Sequence, residues 1–204
     1  MKLSLLVISG LPKSFQISEV VDELNPDWEN MAPEELVYDE YPAYWDEKKG
    51  LEASIVFKYY ESSTGVLMEH NSKTQTLKMS LSPWAVGADV QLYADLINLI
   101  LKKHPRAKLF EKDVRLEGIT DKDVERMTND RKNYLKKLLT TKDEICMDGL
   151  NCGFTLCPHH LRPAPTIDMQ VFELQQNFVN MQWEFEEYDD EDDEDEVVEF
   201  PELN

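Results

Sequence analysis

The chain has 204 residues, of which 42% are hydrophobic and 10% aromatic, enough apolar material for a packed core despite 30% charged residues. Its 41 Asp and Glu against 21 Lys and Arg leave a net charge of −20, which argues against direct contact with nucleic-acid phosphates or an anionic membrane and favours a basic protein partner. Thirteen of the acids and no base fall in residues 184–204, so the length reads as one domain over residues 1–186 followed by an acidic tail over residues 187–204.

In chain order, Lys2 precedes a short apolar run that ends at Gly10-Leu11-Pro12. The run lacks a small-residue cleavage site and is too short to span a bilayer, so it predicts a first β-strand rather than a signal peptide. Ser18 to Leu24 predicts a short helix through Val20, Val21 and Leu24, stopped by Asn25-Pro26. Residues 27–47 show no clear period and hold no base. They carry Trp28, Tyr38, Tyr41, Tyr44 and Trp45 among carboxylates that include Asp39 and Glu40. This stretch is expected to be a long acidic loop whose aromatics anchor a cationic partner, or else simply pack onto the domain.

Residues 51–60, 64–69 and 75–81 then alternate as strands, separated by Ser, Asn and Gly turn signals short enough for antiparallel neighbours. The stretch 88–103 (ADVQLYADLINLILKK) predicts the central helix. Its polar residues Gln91, Asp95, Asn98 and Lys102 form one narrow stripe, and the remaining arc is apolar, so it must be covered on several sides. A short strand is expected through Val114 and Leu116. Thr120 with Asp123 makes a capping-box-like start for a second amphipathic helix over 121–139, with Val124, Met127, Tyr134, Leu135 and Leu138 inward. Its outer face is expected to be basic, through Lys122, Arg126, Arg131, Lys132, Lys136 and Lys137. A last hairpin is predicted from the alternation of Ile167, Met169 and Val171, a turn at Gln175-Gln176-Asn177, and the alternation of Val179 to Phe185. The sum is an α+β fold with a largely antiparallel sheet packed against the two helices. The tail is expected to be disordered, because its like charges outnumber the apolar surface that ordering would bury.

Three cysteines, an odd number, give no disulfide framework and fit a reducing compartment, so a cytoplasmic location is expected. All three lie in one segment with two of the four histidines: Cys146, Cys152, Cys157, His159 and His160. Thiolates and imidazoles so close together are a candidate zinc site, although the spacing matches no paired C-x2-C motif and buried apolar cysteines would give the same pattern. Phosphate-binding glycine loops, the G-x-S-x-G elbow and H-E-x-x-H are absent from the sequence. The leading expectation is therefore a non-enzymatic cytoplasmic binding protein, of the inhibitor or immunity type, whose acidic aromatic surface takes a basic protein. The rival is a zinc module or metal-dependent enzyme centred on residues 146–160.

Overall fold

In a computed structural model of the chain, the apolar alternation of the first eighty residues closes a sheet over one long helix. The structure describes residues 4–24, 37–46, 48–58, 61–141, 145–148, 153–156, 166, 169, 171–172 and 174–176. Nine strands and three helices run unbroken through these residues. They are β1 (Ser4–Ser9), α1 (Ser18–Leu24), β2 (Val37–Asp46), β3 (Leu51–Phe57), β4 (Val66–Asn71) and β5 (Thr76–Leu81), followed by α2 (Gly87–Lys103). The remainder are β6 (Lys108–Glu111), β7 (Val114–Leu116), α3 (Asp121–Thr141), β8 (Ile145–Asp148) and β9 (Gly153–Leu156).

Seven strands form one sheet in the order β2-β3-β4-β5-β1-β6-β7, with every neighbouring pair antiparallel. The fold is α+β, as the sequence predicts. Period-two side-chain alternation sends Leu6 and Ile8 of β1, Val66 and Met68 of β4, and Leu77 and Met79 of β5 into the core that α2 covers. On α2 the predicted apolar arc is buried through Val90, Leu92, Tyr93, Leu96, Ile97 and Ile100, and Gln91, Asp95, Asn98 and Lys102 are exposed as a stripe. Tyr93 reaches the sheet: its hydroxyl donates to the Met79 carbonyl at 3.2 Å. Helix α3 begins at the expected box, with the Thr120 N–H and hydroxyl both donating to Asp123 Oδ2 at 3.1 and 2.6 Å.

Three expectations are corrected. Residues 37–46, read as part of a structureless loop, form strand β2. The predicted strand through Met169 and Val171 and the turn at Gln175-Gln176 are helical at every described residue from 169 to 176. Val171 and Leu174 are buried against Trp84 and Leu135, while Met169 and Phe172 are exposed. That three-residue spacing is the helical period, and packing on Trp84 selects it over the two-residue alternation also present. Third, Arg131, assigned to the wet basic face of α3, is 1% exposed. It lies in line with buried Met127 and Leu135 at spacings of four residues. The strand expected through Val114 and Leu116 is present as β7 and pairs with β6 in a hairpin whose turn holds Lys112 in the left-handed region at φ 55. The second half of the predicted last hairpin, the boundary at residue 186 and the acidic tail lie outside the described residues.

Candidate partner-binding edge and its supports

Strand β2 is built from valine, tyrosine and tryptophan, residue types that suit a pleated strand, interrupted by Pro42. Its register on β3 pairs Tyr38 with Val56 and Asp39 with Ile55, then breaks, and resumes with Tyr44 on Ala53 and Trp45 on Glu52. Residues 40–43 thus stand opposite residue 54 alone. Proline has no N–H to give to the ladder, so the irregularity at Pro42 has a direct cause. The sheet ends at β2, and among the described residues no strand pairs with its other side. Six of the seven residues expected to bind a partner, Tyr38, Asp39, Glu40, Tyr41, Tyr44 and Trp45, therefore fall on one terminal strand. Trp28 lies outside the described residues.

The inner end of this half of the sheet is fixed by a carboxylate whose place in a helical first turn suits the positive helix end and leaves its burial unannounced. Asp89 in the first turn of α2 is fully buried. It accepts from the Ser63 N–H and hydroxyl at 3.1 and 2.8 Å, from the Thr64 N–H at 3.3 Å and the Gly65 N–H at 3.2 Å. It also accepts from Val86 N–H at 3.0 Å, which satisfies a helix-end donor. Gly65 adopts φ 62, a conformation glycine takes without steric cost, so its N–H can join the ring of donors. Burial pushes the Asp89 carboxyl above its ordinary range, and hydrogen bonds from Ser62, Ser63 and Val86 pull it back. The result ties the connection between β3 and β4 to α2. The Ser62-Ser63-Thr64-Gly65 run followed by an acid at the head of a helix was the available signal.

The Cys/His segment is described only in part. Cys146 lies on β8, paired with Thr155 of β9, and Ile145 pairs with Leu156. Cys152, Cys157, His159 and His160 lie outside the described residues. Among the described residues no group of three or more His, Cys, Asp or Glu could hold a metal ion, and no helix is long and apolar enough to cross a membrane.

On α3 the basic surface divides in two. Arg126 is held between Asp123, at 3.3 Å, and Asp130, at 3.9 Å. The second half carries Lys132, Lys136 and Lys137 with no acid from 131 to 141.

No protein-family model, curated protein or solved structure matches this chain.

Proposed function

We propose that this chain is a non-enzymatic binding protein, working in the reducing cytoplasm, whose acidic aromatic strand β2 receives a basic protein partner. The observation that carries the reading is the position of VYDEYPAYWD as the terminal strand of a seven-stranded sheet. A terminal strand offers backbone donors and acceptors to an incoming segment. Here the same ten residues hold three acids and no base, which would select a cationic partner and speed its approach. Tyrosine and tryptophan supply large contact area at low entropic cost and are the residue types enriched at interface centres. Neutralising a basic toxin or nuclease is a task that fits this chemistry.

The test is affinity capture from native lysate at low and high salt with the wild type and the double variant Asp39→Lys/Glu40→Lys. The captured protein should be basic, should be lost at high salt and should be lost from the variant, whose circular dichroism stays that of the wild type. Equal capture by a folded variant would defeat the reading.

The zinc reading keeps one specific support. The β8–β9 register lays the Ile145–Cys146 end of one strand beside Leu156, the residue before Cys157, so the hairpin brings those two stretches of backbone together. A structural zinc should then be present near one per chain in protein purified without chelator, and stripping it should lower stability. Elemental analysis that finds none removes this reading.

A further inference from the structure

A cleft of about 260 Å³ lies between α3 and the β1, β6 and β7 end of the sheet. Its volume falls just under the ~300–1,000 Å³ usual for drug-sized ligands, so its occupant is smaller than these. The walls are held in place. Asn98, on the exposed stripe of α2, grips the loop before α3 with two bonds, donating to the Ile119 carbonyl at 2.8 Å and accepting the Ile119 N–H at 3.0 Å. Next to it Gly118 lines the cleft, and a Cβ there would sit 3.0 Å from Asn98 Oδ1. Leu6, Leu116, Ile119 and Met127 give the cleft an apolar wall.

The polar lining is unevenly satisfied. Three carboxylates line the cleft: Asp123 and Asp130 are both engaged by Arg126, Asp123 also accepts from Thr120, and Glu111 stands on β6 across from α3. At the floor, Arg131 is 1% exposed and donates only to neutral acceptors. These are Ser82 O at 3.1 Å, Met127 O at 3.1 Å and Ser4 Oγ at 3.0 Å. A guanidinium has five N–H donors, so these bonds leave capacity over. Among the described residues no carboxylate lies within ion-pair distance of it. Asp89 and Asp130 act on it only at longer range, and a buried charge without a directly bonded counter-ion is costly.

We infer that this cleft binds a small organic monocarboxylate with an apolar body, its carboxylate on Arg131 and Ser4 and its hydrocarbon against Leu6, Leu116 and Met127. The ligand supplies the directly bonded counter-ion that Asp89 and Asp130, acting at longer range, do not, and a planar carboxylate matches the donor edge of a guanidinium. Burial draws Arg131 down to about 10, so it is charged at neutral pH and available for the pairing. The site is separate from β2, and its test does not depend on the partner proposed there.

The experiment titrates the ¹⁵N-labelled full chain with 4-methylpentanoate, with 4-methylpentylamine as the same body of opposite charge, and with inorganic phosphate as an anion without a body. The carboxylate should shift the Gly118 and Ile119 amides and the Arg131 Nε–H in a saturable way, and the other two probes should not. A second arm uses Ser4→Asp, which places a carboxylate where Ser4 Oγ now meets Arg131 and so pairs the guanidinium from within. That variant should be more stable to urea than the wild type and should bind 4-methylpentanoate at least about tenfold more weakly. No shift with the carboxylate, equal shifts with the amine or phosphate, or unweakened binding by Ser4→Asp would each overturn the inference.

Discussion

Asp89 and Asp123 stand at the first turns of two helices and do different work. Asp89 serves four backbone N–H groups that are out of reach of water. Removing the acceptor leaves all four unpaired, at about 1–3 kcal/mol each before relaxation. Asp89→Ala should therefore cost at least about 3 kcal/mol in urea melts, and Asp89→Asn, which keeps one carbonyl oxygen, should cost less. Equal losses from the two would show that the lost volume matters and the acceptor does not. Asp123 is a solvated cap, and its carboxyl is held below the ordinary 3.8 mainly by the Thr120 hydrogen bonds. A depressed carboxylate stabilises the fold above its unfolded value, and that contribution fades as pH falls through the lowered folded value. Asp123→Asn should accordingly be less stable than the wild type at neutral pH, and the gap should begin to narrow as pH falls below about 4. A gap that stays constant as pH falls to and below the lowered folded value would assign the effect to something other than ionisation.

Helix α2 was legible because its pattern is redundant: many apolar positions agree on one angle, and packing had only to confirm it. Ile97→Asp, which buries an unpaired charge in that arc, should lower stability by more than about 4 kcal/mol. Gln91→Asp, on the exposed stripe four residues from Asp95, should change it by no more than about 0.5 kcal/mol. Matching urea midpoints for the two would remove α2 from the core. Where structure departs from residue type, geometry prevails. The charge of Arg131 points to solvent, yet its spacing from Met127 and Leu135 sets it on the inner line. Strand β2 was hidden because Pro42 and the broken register reset the phase of alternation halfway along. The stretch through Val171 satisfies two periods at once, and only contact with Trp84 and Leu135, distant in sequence, decides between them. Of the candidate site, the residues of the acidic edge could be picked out by composition. Their collection on a terminal strand is a fact of topology that no local pattern encodes.

At the scale of the molecule, charge and connectivity set the conditions under which the fold persists. A net charge of −20 repels itself in the compact state. Added salt at constant pH should raise the melting temperature, and a chain ending at residue 183, with thirteen fewer acids, should gain less from the same salt. An identical salt response would detach the acidic stretch from the stability of the domain. Connectivity acts through the position of β1, which lies between β5 and β6 although it precedes both. Its partners are residues 76–81 on one side and 108–110 on the other. Both of its ladders are long-range contacts, the kind that slow folding because a large loop must close before either contributes. During synthesis, at ~5–20 residues per second, the segment Ser4–Ser9 waits on the order of ten seconds for its second neighbour to be made. Until then Leu6 and Ile8 lack the strand that shields them on that side. This is an interval in which a chaperone or a second nascent chain competes with the native sheet for the same backbone.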